Sequence, residues 1–307
     1  MIVVLKNELF RVNPEERPEL YVRVDGVRRV AQGVATTVLA TRDGALTVLS
    51  DTANLAIETD LGPDITSLVI VREEPLEALI GTEGAHLHRL GDGCVAPVES
   101  FEGLACREGW YTPWGGPPAV RSLAASPNGL VYADIHVGSI MRSDDRGLTW
   151  SPVTPTLHED VHEVTTCPAA PARVYANTAD GVYVSGDCGV SWHYRGRDLG
   201  GRYGRAVAVS PEDPDLLLAT VSDGPHGDDV HGQLFRSEDA GQTWTHVRDG
   251  FPSSTKKNID TFHVRFDHGG TAWAAVGSTL YVGKDRASRW ERFWDAPDQI
   301  LMLAAHR

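Results

Sequence analysis

The 307-residue chain has no apolar run approaching the ~18 residues that a membrane-crossing helix needs. Met1-Ile-Val-Val-Leu-Lys6 is too short and too soon charged for a secretory leader, so a cytoplasmic location is expected. Cysteine is scarce. Cys94, Cys106, Cys167 and Cys188 stand far apart without CxxC spacing, which reads as ordinary thiols and not as a disulfide framework. Basic residues are outnumbered, with 28 Lys and Arg against 42 Asp and Glu, for a net charge of −14. A chain of that sign repels phosphate backbones and anionic lipid surfaces, so neither nucleic acid nor membrane is expected as a partner. The oligomeric state is left open, a monomer among the alternatives.

What the chain does have is turn chemistry: 31 Gly, 18 Pro, and one eight-residue phrase written three times. Ser143-Asp-Asp-Arg-Gly-Leu-Thr-Trp150, Ser185-Gly-Asp-Cys-Gly-Val-Ser-Trp192 and Ser237-Glu-Asp-Ala-Gly-Gln-Thr-Trp244 share the template S-x-D-x-G-x-[ST]-W. The Asp is suited to accept backbone N–H bonds from the turn beyond it, and the Gly to take a positive φ. The Trp then opens the next strand and buries its ring against a neighbour. A worn copy, Gly283-Lys-Asp-Arg-Ala-Ser-Arg-Trp290, keeps the Asp and the Trp.

The four Trp are spaced by 42, 52 and 46 residues, the period of a four-stranded propeller blade. Upstream of each phrase runs a short apolar strand: Leu130-Val-Tyr-Ala-Asp134, Arg173-Val-Tyr-Ala-Asn177 and Leu216-Leu-Leu-Ala-Thr220. The same layout recurs at residues 76–89 and 37–50, while residues 4–11 match 275–282 with no strand before them. Ile300-Leu-Met-Leu-Ala-Ala305 resembles the missing opening strand, so the last strand is expected to complete the first blade and close the ring. The reading is an all-β, seven-bladed β-propeller forming one domain over residues 1–307.

Aligning the inner strands on Ser126-Pro127, Cys167-Pro168 and Ser210-Pro211 puts Arg121, His162 and Arg205 at one equivalent position. Propellers carry function at the mouth of the central channel. Three adjacent blades would thus aim cationic or ionisable groups there, with Arg28, Arg29, Arg202 and Tyr203 on the same face. The functional reading is a site for a small anionic or glycan-like ligand, held by Arg121, Arg205, Arg202 and Asp134. The structural reading pairs each Arg with an acid such as Asp134, Asp160, Glu163 or Asp260.

Trp110-Tyr-Thr-Pro-Trp-Gly-Gly-Pro-Pro118 leads into the blade that begins at Arg121, and Trp110 and Trp114 are placed to stack on a ligand or to pin the loop. His136, His162 and His231 are candidate ligands for a divalent metal, with no diagnostic spacing. If the protein is an enzyme, His136, His162, Glu163 and Tyr203 are the acid–base candidates.

The repeated phrases and strand patterns make the whole chain resemble the bacterial BNR/Asp-box repeat propellers, with their WD40/YVTN-like relatives. That broad group contains sialidases, Vps10-type receptor propellers and photosystem II assembly factor-like proteins. The resemblance implies the fold. For the sialidases it would also imply an arginine triad, a Tyr/Glu nucleophile pair, an Asp acid and an early Arg-Ile-Pro motif, and this chain has no Arg-Ile-Pro. A binding propeller, a sialidase-like glycoside hydrolase and a metal-dependent hydrolase or lyase all remain open.

Overall fold

Each short apolar segment of the repeat becomes a strand, and the strands gather in fours. The computed structural model describes residues 1–50, 54–153, 156–200, 203–225 and 227–306. They form seven four-stranded antiparallel sheets, the blades. The inner strands are Val27–Gln32, Ile65–Arg72, Val120–Ala125, Val161–Cys167, Tyr203–Val209, Val264–Phe266 and Met302–Ala304, one for each of blades one to seven. Each lies against the next, and the last lies against the first. In blade seven Ile2–Val4 pairs with Met302–Ala304 on one side and Glu8–Arg11 on the other, so the C-terminal strand closes the ring as expected. No helix among the described residues is long and apolar enough to cross a membrane.

The repeated phrase turns the third strand of a blade into the fourth. In its first copy Asp145 Oδ1 accepts from the backbone N–H groups of Leu148 at 3.0 Å and Thr149 at 2.8 Å, while the Thr149 hydroxyl donates to Oδ2 at 2.6 Å. Asp187 and Asp239 accept the same Oδ2 bond from Ser191 and Thr243, also at 2.6 Å. The three Gly sit at φ of +87°, +83° and +79°, which a Cβ would disfavour. In the worn copy Ala287 adopts φ +62° in the glycine's place, and the Trp290 indole still donates to its carbonyl at 3.0 Å.

These turns set each Trp between blades, where the core lies. Trp192 packs with Leu130, Tyr132 and Ile140 of blade three and Val174 and Ala176 of its own blade. Burial of such rings, at roughly 25 cal/mol per Å² of apolar surface, holds each blade to its neighbour.

The inner strands share one irregularity. In blades one to five an extra residue interrupts the pairing with the second strand, and that residue is Arg28, Thr66, Arg121, His162 and Arg205 in turn. Such a bulge re-aims the side chain it carries. The equivalence expected for Arg121, His162 and Arg205 therefore has a backbone cause, and it extends to Arg28 and Thr66.

Candidate functional site

The bulged residues stand where the chain enters each inner strand, around one mouth of the axial channel. Here a cavity of about 300 Å³ is lined by Arg29, Thr66, Arg121, His136, Asp260 and Phe262 among others. Arg121 is the hub. One of its terminal nitrogens donates to Asp160 Oδ1 at 3.0 Å and to the Val161 carbonyl at 3.1 Å, and the other lies 2.7 Å from His136 Nε2. Burial and then the Arg121 charge push His136 down to about 3, so its imidazole is neutral at physiological pH. That leaves Nε2 free to accept from the guanidinium. Burial alone would raise the Asp160 carboxyl, but the His162 and Arg121 side chains hold it below its ordinary value.

Arg205 completes the opposite wall. Its Nη2 donates to the Pro225 carbonyl at 2.6 Å, its Nε stands 3.6 Å from Asp260 Oδ1, and its guanidinium lies 5.0 Å from the Tyr203 ring centre. Tyr203 in turn packs on the His162 ring at 4.7 Å and touches Arg121, so both arginines converge on it. Guanidiniums are therefore gathered at this mouth, with Arg28 and Arg29 beside Arg121 and Arg205, facing the carboxylates of Asp160 and Asp260. That local excess stands out in a chain of net charge −14.

The remaining candidates are placed differently from expectation. His162 is fully buried beneath Tyr203, with Nδ1 bonded to the Gly204 carbonyl and Nε2 3.2 Å from Asp160, and it does not open into the mouth. Burial lowers its pKa against the pull of Asp160. Glu163 is also fully buried, because the bulge at His162 turns the next residue inward. One oxygen is ion-paired with Arg265 and the other accepts from the Val207 N–H at 3.2 Å. Trp110 packs on Phe101 at 5.7 Å and pins its loop, whereas Trp114 is 61% exposed with its ring 4.6 Å from that of His136. Arg202 lies outside the described residues.

The structure does not bring the three metal candidates together. His231 bonds Asp223 on its own loop at 2.7 Å, and no partner links it to His136 or His162. Among the described residues no three His, Cys, Asp or Glu side chains are grouped to hold a metal ion.

Asp134 needs a correction: it faces the bulge of its own blade and not the ligand space. It is fully buried, and its Oδ1 accepts from the Ser122 N–H. Asn177 and Thr220 occupy the same register in the next two blades. Asn177 donates to the Ala206 and Thr220 carbonyls at 2.7 and 2.9 Å, and Thr220 accepts from the Ala206 N–H at 2.8 Å. This is a row of bulge clamps. Asp134 and Asn177 each leave one oxygen without a partner, and in Asp134, the ionisable one, burial raises the pKa to about 8 despite the Ser122 bond.

A folded-state value above the unfolded one means that the native state holds a proton which the unfolded chain has lost. Stability then declines from about pH 4 to pH 8. Asp134→Asn should abolish that decline and raise stability at pH 9 by about 1–3 kcal/mol, the cost of an unsatisfied buried group. Urea midpoints at pH 5 and pH 9 test this; an equal fall in both proteins would count against the assignment.

Sequence reasoning missed the waist of the channel. Phe262, at φ +67°, carries its ring toward the axis, with the Arg29 guanidinium 5.7 Å and that of Arg265 5.1 Å from its centre. A bulky residue rarely takes that backbone, so its neighbours must hold it there. Thr261 Oγ1 donates to the His162 carbonyl at 3.3 Å, and the Leu303 N–H donates to Phe262 O at 2.8 Å. Below Phe262 lies a second cavity of about 300 Å³, lined in part by Leu68, Leu123, Arg265 and Met302.

With this geometry established, comparison adds the following. A family model for Sortilin-Vps10, described as sortilin, neurotensin receptor 3, matches residues 138–251, somewhat over a third of the chain and the part holding all three phrases. A search of curated proteins gave no match. Among solved structures, a GH74 xyloglucanase from Xanthomonas campestris superposes with a TM-score of 0.67 at 15% identity, over 95% of this chain and 53% of that one. An ancestral GH74 enzyme gives 0.67 at 15%, covering 96% and 41%. The WD40 propeller domain of Doa1 gives 0.58 at 14%, covering 89% and 83%. What these share is the fold. The chain is a seven-bladed propeller. It spans about half the length of the GH74 enzymes, and at these identities the likeness extends to architecture alone.

Proposed function

We propose that this propeller is a binding protein for a small anionic, sugar-like ligand at the mouth ringed by Arg121 and Arg205. The observation that carries the reading is the convergence of these two guanidiniums, from non-adjacent blades, on Tyr203. Arg205 supports it best, because its one acidic neighbour among the described residues stands 3.6 Å away and is itself exposed, leaving N–H groups for a carboxylate or phosphate. The exposed Trp114 ring beside His136 offers a flat apolar face for a sugar ring.

A hydrolase reading rests on the GH74 fold likeness and has less support from the site. Glu163 is tied to Arg265, and His136 Nε2 is occupied by Arg121, so neither is poised to exchange a proton with a ligand.

Crystals soaked in concentrated sulfate or phosphate should show an anion between Arg121 and Arg205. In solution, Arg205→Met should weaken binding of a sugar acid about ten- to a hundredfold, the worth of a charged hydrogen bond, while the thermal transition stays near that of the parent. Undiminished binding by the variant, or an empty mouth in the soaked crystal, would refute the proposal.

A further inference from the structure

We propose that the second chamber, on the far side of Phe262, is an independent site for an aliphatic carboxylate, with its head on Arg29 and its chain along the apolar wall. The chamber shares Arg29 and Phe262 with the mouth cavity but draws on neither Arg121 nor Arg205, so the two sites are separable by substitution.

Three inward guanidiniums of the channel have an acid partner: Arg121 with Asp160, Arg205 with Asp260, and Arg265 with Glu163. Arg29 has none within 4 Å among the described residues. Its Nε donates to the Thr66 carbonyl at 2.5 Å and its Nη1 to the Arg28 carbonyl at 2.7 Å, so neutral dipoles alone meet its charge. Burial and the neighbouring Arg28 pull its pKa down to about 10, against the raising effect of Asp260. A buried guanidinium with no acid in direct contact is costly, and an anion joining it offsets that cost. Glu73, at the outer rim of the chamber, does not serve, because its carboxylate accepts from the Val34 and Ala35 N–H groups.

Above its floor of Arg29, Phe262 and Arg265, the chamber carries an apolar stretch of Ala31, Leu68, Ile70, Leu123, Ala125 and Met302, with Gln32, Glu73, Ser126, Arg146 and His306 also lining it. That stretch gains by covering methylene groups, as an aliphatic chain would do. A cavity of about 300 Å³ accommodates a medium-length chain, and Phe262 and Arg29 border both cavities, so the ligand reaches Arg29 without entering the mouth.

The test is calorimetric titration of the full chain with straight-chain carboxylates from butanoate to decanoate and with the matching alcohols. Affinity should rise about fourfold per added CH₂. Each alcohol should bind at least about tenfold more weakly than its acid. Arg29→Met should erase the preference for the acid, and Ala125→Phe, which fills a partly open wall position, should erase the dependence on chain length. Arg205→Met should leave both intact while weakening the mouth site. A flat series, or a chain-length response that follows Arg205 and not Ala125, overturns the proposal. Should Arg29→Met fail to fold, Arg29→Lys, which keeps the charge, should retain the acid preference, and the parent series with Ala125→Phe still decides the outcome.

Discussion

Glu163→Ala is expected to lower folding stability by about 3–5 kcal/mol, because it strands the Arg265 guanidinium in a space where that side chain is 7% exposed. Arg265 would keep only its bond to the Val264 carbonyl at 2.8 Å, and the Val207 N–H would lose its acceptor. A pair of this kind is costly to break and cheap to replace whole. Glu163→Leu combined with Arg265→Met should therefore recover most of the loss. Urea unfolding of the two single variants and the double variant measures the coupling. A catalytic carboxylate behaves differently, since its removal commonly leaves stability unchanged or improved. A Glu163→Ala protein as stable as its parent would reopen the catalytic reading.

Trp192→Ala should cost a similar amount, about 3–5 kcal/mol, by a different mechanism. The ring lies between blades three and four, 5% exposed, with its indole N–H donating to the Gly189 carbonyl at 3.2 Å. Truncation leaves a void against Leu130, Tyr132 and Ile140 that a ring of rigid sheets cannot easily collapse to fill. Trp192→Phe should recover part of the loss. Leu148→Ala, at a turn position 58% exposed, should change little and serves as the control. Equal chemical-denaturation midpoints for Trp192→Ala and Leu148→Ala would mean that the repeated phrase does not anchor the blades.

The fold was legible because its signal is local and repeated. Ser, Asp, Gly and Trp each act within eight residues, so the spacing of the phrases gave the blade period, and the strand patterns gave the ring closure. The alignment of Arg121, His162 and Arg205 followed from the same spacing. Their surroundings did not, because a bulge exists only relative to a pairing partner, and it sends His162 and Glu163 inward while Arg121 stays at the mouth. Asp134 misled for a related reason, since whether a strand carboxyl faces ligand space or its own backbone depends on that extra residue. Arg265 and Phe262 carried no signal: blade six lacks the Ser-Pro or Cys-Pro end used for alignment, and the partner of Arg265 is 102 residues away.

The bulges at Arg28, Thr66, Arg121, His162 and Arg205 also bear on how such a molecule can diversify. An inserted residue stands outside the in–out alternation of its strand, so exchanging it does not swap a core side chain for a solvent one. Mouth chemistry and folding pattern are thereby written in separate alphabets, one at the bulges and one in the strands. Thr66 holds a small hydroxyl where Arg121 holds a guanidinium, on the same backbone. A lineage built on this plan can change the chemistry of its channel mouth by point substitution at the bulges that open there while the scaffold remains under unchanged selection, which is one physical route by which a single architecture comes to serve unrelated chemistries.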